Sequence, residues 1–266
     1  MTKFNNASSR IAIGIEYEGT HFKGFQKQKN PSQTIQGQLE KALSKIADEK
    51  INTICSGRTD TGVHAYSQVI HFDTSKTREL EAWIKGGNSF LPKDIRILWA
   101  KEVDKEFHAR FSAHSRTYRY LLRISKLPSA LWDERSLWIS EDLDINAIRR
   151  SSKLLIGEHD FSSFRSSACQ SKTPFRNVKS IVIKKNKELV SIEITANAFL
   201  QNMVRIIVGT FLLVGKKEIF HSDIKAILEG KNRNLAGKTA SPSGLYFVGP
   251  SYKKKFMIPD ISNTLT

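Results

Sequence analysis

The hydrophobic period of this chain changes from two to about 3.6 and back again, and it does so once in each half. No other feature constrains the fold as much, because period two belongs to a strand buried on one face and period 3.6 to a helix lying on a core. Ile11, Ile13, Ile15 and Tyr17 alternate, and Gly19 among polar residues ends the run. From Thr34 onward Ile35, Leu39, Ala42, Leu43 and Ile46 recur at helical spacing, with Gln36, Glu40, Lys41 and Lys45 on the opposite, solvent face. Strands are predicted over 51–55, 67–72 and 95–103, with a second helix over 78–85.

The second half repeats the order. A Tyr- and Arg-rich strand is predicted over 115–124, then a helix over 144–155 with Asp144 as its N-cap. Strands over 179–184 and 189–196 lead to a long apolar helix near 200–214. Ser222 opens a short helix, and 245–248 forms a last strand. The expected fold is α/β (α+β): two similar lobes, residues 1–106 and 107–266, with antiparallel or mixed sheets joined and flanked by helices and the active site in the cleft between them.

Charge narrows the partners. The chain has 42 Lys and Arg against 26 Asp and Glu, a formal charge of +16, spread along its length rather than held in a tail. A polyanion is the natural ligand. Membrane insertion is not expected, since the apolar run Ile206 to Val214 is about half the ~20 residues a spanning helix needs. The polar stretch Met1 to Arg10 lacks the apolar core of a secretory signal, so the expected compartment is the cytoplasm. Cys55 and Cys169 are the only cysteines and form no CxxC pair, which argues against a disulfide scaffold or a thiolate zinc site.

The segment Gly57-Arg58-Thr59-Asp60-Thr61-Gly62-Val63-His64-Ala65 sets an acid between two glycines, after one strand and before another. Such a loop can project a side chain toward a ligand that approaches the backbone closely. On spacing alone, a polar hairpin turn closed by an Asx bond from Asp60 accounts for it better. Asp60-Thr61-Gly62 also matches the aspartic-protease tripeptide, but that chemistry needs a second carboxylate sharing a proton, and the tripeptide does not recur. Gly237-Lys238-Thr239 resembles the end of a phosphate loop, yet Asn232 stands where that motif needs glycine. The His-x-Glu and Pro-Cys-x-x-Cys motifs of a zinc base deaminase are missing. In the apolar helix Arg205 is the single charge, and a buried guanidinium must either meet an acid or reach solvent.

Five segments, in order, resemble the tRNA pseudouridine synthase A (TruA) family. They are Gly57 to Ala65, Phe107 to Phe111 with Ser115 to Tyr120, Asp160 to Phe164 with Cys169 to Ser171, Phe199 to Arg205, and Thr239-Ala240 through Gly244-Leu245. The match covers nearly the whole chain. The sequence departs from the family's pattern at Gln201-Asn202, where a Tyr-His or similar pair is common, and at Phe25, which is often Trp. The resemblance implies the pseudouridine synthase fold and isomerisation of uridine at positions 38, 39 and 40 of the tRNA anticodon arm, by a homodimer without metal or cofactor. It implies Asp60 as nucleophile, Arg205 as its ion-pair partner, Tyr118 stacked on the target uracil, Arg58 displacing the nucleotide and Leu245 beside the flipped base. Arg110 and Arg116, interleaved with aromatics, suit phosphate contacts. Strand alternation would line a groove with Arg116, Tyr118 and Tyr120. A non-catalytic tRNA-binding protein or RNA chaperone would share this basic surface, and an aspartic hydrolase is a second enzyme class for Asp60.

Overall fold

The computed structural model describes residues 8–259; residues 1–7 of the polar stretch read above as lacking a secretory signal lie outside the described residues. Contacts divide the chain into two compact units, one running to His114 and resuming at Phe247, the other Ser115–Tyr246. The boundary expected at 106/107 therefore moves, and the C-terminal segment returns to the first unit. Hydrophobic pattern identifies the last strand but carries no information about which strands it pairs with.

The first unit is built on antiparallel strands. Strand β1 (Ser9–Tyr17) lies between β3 (His64–Thr74) and β4 (Ile95–Val103), a two-residue β2 (Ile54–Cys55) pairs with β3, and β10 (Leu245–Tyr252) runs along the other side of β3. Thr34 caps helix α1 (Ile35–Ala47) by accepting a hydrogen bond from the Gly37 N–H at 3.2 Å. The helix expected over 78–85 is displaced toward the C-terminus: a π-helical turn over Ala82–Gly86 leads into α2 (Gly87–Phe90), and buried Trp83 packs edge-on against Phe72 at 5.1 Å. A separate cluster joins Ala12, Val69, Trp99, Phe107 and Ala109, with Tyr252 and Phe256 packed against it.

Glu40 departs from the expected solvent face of α1. It is only 6% exposed and accepts hydrogen bonds from the Thr53 N–H at 3.0 Å, Gln36 Nε2 at 2.9 Å and Lys27 Nζ at 2.9 Å. A carboxylate tolerates such burial only when donors replace its lost water, and these three do.

In the second unit β5 (Ala113–Ile124) pairs antiparallel with β9 (Leu189–Ala196), which pairs with β8 (Phe175–Asn186), which pairs with β7 (Gly157–Asp160); β6 (Leu137–Ile139) runs parallel to β5. Helix α3 (Ile145–Ser152) starts at Asp144, whose side chain accepts from the Ala147 N–H at 2.8 Å, as its position predicted. Helix α4 (Met203–Gly215) is buried on nearly every side, and the short α5 (Asp223–Glu229) follows Ser222. No helix among the described residues is long and apolar enough to cross a membrane.

Candidate active site

The loop between β2 and β3 is held from below. Thr59 is buried, its hydroxyl within 2.7 Å of the Tyr17 hydroxyl and its carbonyl accepting the Phe25 N–H at 3.0 Å. Its neighbours are less buried: Arg58 is exposed and Asp60 partly buried. The Asp60 carbonyl accepts the Val63 N–H at 3.2 Å across a turn whose Gly62 has φ of 76°. At the loop's start Ser56 donates from its N–H to the Val69 carbonyl at 2.8 Å, and buried Gln68 spans Ser56 Oγ and the Gly57 carbonyl. At its end the Gly19 N–H donates to His64 Nδ1 at 3.0 Å.

The loop's inner surroundings are dry. Burial raises the Tyr17 phenol above its ordinary value, so the hydroxyl stays a neutral hydrogen-bonding group. Burial also pushes the Cys55 thiol up to about 11, although Arg58 and Arg110 both act to lower it. Cys55 is therefore an unreactive thiol at neutral pH. Among the described residues no group of three or more His, Cys, Asp or Glu is placed to hold a metal ion.

In the second unit one segment, 237–245, organises the other candidate residues. It crosses α4 at Gly209, where a β-carbon would stand 1.8 Å from the Lys238 carbonyl oxygen. The Gly237 N–H donates to Thr210 Oγ1 at 2.9 Å, which gives the phosphate-loop-like tripeptide a packing role. Ala240 then grips Arg205 twice, its N–H donating to the Arg205 carbonyl at 3.1 Å and its carbonyl accepting from Nε at 2.7 Å. Arg205 Nη1 donates to Asn202 Oδ1 at 3.0 Å. These two oxygens, one backbone and one side-chain, fix the direction of the guanidinium.

The same segment covers β5. The Tyr120 hydroxyl donates to the Ser241 carbonyl at 2.7 Å, and Gly244 packs against the Tyr120 ring. Tyr120 is wholly buried, so the expectation that it lines a groove with Arg116 and Tyr118 is corrected: alternation puts the three on one side, but the 240–244 segment covers Tyr120. Tyr118 remains half-buried, its ring edge-on to Phe199 at 5.0 Å. Arg116 donates to the Asn197 carbonyl at 3.0 Å. Leu245 is buried at the start of β10.

A sequence profile described as tRNA pseudouridine synthase matches residues 13–112 and 152–253 of this chain. The chain belongs to the tRNA pseudouridine synthase family. Family members named tRNA pseudouridine synthase A show how even the similarity is. That of Colwellia psychrerythraea strain 34H is 46% identical over 250 residues, covering 94% of this chain and 96% of its own length. That of Buchnera aphidicola subsp. Schizaphis graminum is 47% identical over 255 residues, 95% of each chain. That of Alcanivorax borkumensis is 44% identical over 252 residues, 95% of this chain and 94% of its own. As a member of the family the chain is an isomerase whose substrate is tRNA, as the resemblance in five ordered segments implied.

The structure thus sets Arg58, Asp60 and Arg110 in the first unit and Arg116, Tyr118, Arg205 and Leu245 in the second. Sequence reasoning missed the supporting roles of Tyr17 and Gln68, and of Gly24, whose backbone packs on the Thr59 carbonyl; it named Ala240 only as part of a family segment, without its hold on Arg205. Tyr17 was legible only as the end of an alternating strand, and Gln68 only as a polar residue inside one. Gly24 carried no local signal, since it acts through Thr59, a residue distant in sequence.

Proposed function

We propose that this isomerase acts on uridines 38, 39 and 40 of the tRNA anticodon stem-loop, with Asp60 as its nucleophile. The observation that supports the reading is the family's motif loop, fixed on its inner side through buried Thr59, with Arg58 exposed and Asp60 only partly buried on either side of it. A carboxylate is a sufficient nucleophile for the reaction, in which the bond from uracil N1 to the ribose breaks, the base turns, a bond from C5 to the ribose forms, the C5 hydrogen leaves to solvent as a proton and N1 takes up a proton in its place. No atom is gained or lost overall. The base must leave its stack for any of this to occur.

Arg205 is the ion-pair partner in this reading. A guanidinium held by Ala240 and Asn202 favours the ionised carboxylate over the acid. Tyr118 supplies a ring face for the extruded uracil, Arg58 assists its displacement, and Leu245 packs beside it; Arg110 and Arg116 meet phosphates. The working enzyme is a cytoplasmic homodimer, each tRNA touching both subunits.

Release of tritium from tRNA labelled at uracil C5 tests the assignment. Asp60→Asn is expected to abolish release while tRNA affinity stays near that of the parent. Full turnover by this variant would remove Asp60 from the chemistry, and an absence of release by the parent chain would favour a non-catalytic RNA-binding role.

A further inference from the structure

The turn after β4 carries an aromatic ring that the isomerase reading leaves without a task. Phe111 is 75% exposed, yet its ring is not loosely placed. It stacks on the His108 imidazole with centroids 4.3 Å apart and planes at 30°, and His108 in turn meets His71 at 4.8 Å.

Every backbone N–H from Phe107 to Ser112 has an acceptor. Phe107 donates to the Asp104 carbonyl at 2.9 Å, His108 to Ser112 Oγ at 3.0 Å, and Ala109 to His71 Nδ1 at 3.1 Å. Arg110 and Phe111 both donate to His108 Nδ1, at 3.2 and 3.1 Å, and Ser112 donates to the His108 carbonyl at 2.9 Å. The carbonyls are tied as well: Arg10 Nη1 donates to that of Phe107 at 2.8 Å, and the Tyr252 hydroxyl to that of Ala109 at 2.7 Å. Beneath the turn, buried Phe107 packs on Tyr252 and Phe256. The imidazole that accepts two N–H groups is held neutral, since burial and the Arg10 charge lower its pKa.

A large ring held exposed on a fully hydrogen-bonded turn presents a π surface that a planar ligand can meet without reordering the turn. The surroundings identify the ligand class. The Arg110 guanidinium lies over the Phe111 ring, 5.6 Å from its centroid, so a positive charge adjoins the aromatic surface. An aromatic face beside cations suits a nucleobase and its phosphate.

Resting on the isomerase reading above, we propose that Phe111 is a stacking platform for an unpaired or terminal base of the bound tRNA, with Arg110 holding the adjoining phosphate. Because the turn is rigid before binding, little conformational freedom is lost when the base docks.

The test uses the full chain and compares Phe111→Ala, Phe111→Leu and Phe111→Trp by tRNA affinity across a salt series and by tritium release. Phe111→Ala and Phe111→Leu are expected to weaken affinity and raise KM about tenfold, the scale of one lost base–aromatic stack, with kcat within about twofold. Phe111→Trp should restore both. The salt slope should stay that of the parent in all three, because no ionic contact is removed, whereas Arg110→Ala should make it shallower.

Affinity within twofold of the parent in Phe111→Ala would overturn the proposal. So would recovery by Phe111→Leu, which has no π face, or a fall in molecular mass on Phe111→Ala, which would assign the ring to a protein interface. Failure of the isomerase reading is separate: an active Asp60→Asn would defeat that reading, while the stacking would still be read in affinity.

Discussion

The backbone of Gly24 lies so close to Thr59 that a β-carbon on residue 24 would stand 2.9 Å from the Thr59 carbonyl oxygen and 3.3 Å from the Asp60 carbonyl carbon. Gly24 also has φ of 83°, in the left-handed region that side chains rarely adopt. Two constraints thus meet at one residue, and both act on the loop that carries the proposed nucleophile.

Gly24→Ala is expected to move that loop. The substitution should cost about 1–2 kcal/mol of stability from backbone strain and clash, and lower kcat at least tenfold as Asp60 shifts. Thermal unfolding and single-turnover tritium release measure the two effects. Unchanged kcat would mean that the loop does not set the reaction geometry.

Arg205→Lys keeps the positive charge but loses the fork that engages Ala240 and Asn202 together. We expect kcat to fall more than tenfold with affinity for tRNA nearly unchanged, and stability to fall by about 1–2 kcal/mol from the two lost hydrogen bonds. A lysine variant with parental kcat would show that charge alone suffices and that aim does not matter.

Glu40 tests the fold apart from the chemistry. In Glu40→Ala the buried Thr53 N–H and Gln36 amide lose their acceptor, which should destabilise the chain by about 2–3 kcal/mol in urea unfolding. Activity per folded molecule should not change. A stability loss below about 0.5 kcal/mol would mean that the carboxylate is not the anchor its contacts suggest.

His71 gives an acid dependence with a defined sign. Burial, aided by the Arg10 charge, pushes its pKa down to about 4. Between the ordinary value of ~6.5 and 4 the unfolded chain binds the proton more readily, so stability is constant above this window and falls as pH drops through it. Asp73, held down to about 2 by its hydrogen bonds to Arg10, adds a loss at lower pH, as acidification passes the ordinary carboxylate value of ~3.9 toward 2. His71→Asn, whose side-chain oxygen can accept the Ala109 N–H, should lessen the fall in melting temperature between pH 6.5 and 4, leaving the share of His108, whose pKa is also lowered, and the lower step intact. Equal slopes in parent and variant would assign the acid sensitivity elsewhere.

Sequence alone determined the elements, because hydrophobic period is a property of neighbours along the chain: β1, β4, β9, α1 and the Asp144 cap fall where their patterns put them. It also determined the family, since five short motifs carry chemical groups that spacing preserves. Tertiary structure decided what depends on residues far apart in the chain. It returned the segment from Phe247 to the first unit, turned Glu40 inward to meet Thr53, buried Tyr120 beneath Ser241, and left Phe111 exposed on a turn fixed by His71 and Tyr252. Each outcome hangs on a hydrogen bond or close contact between segments, and the free energy of such a contact exists only once the chain has brought its two ends together.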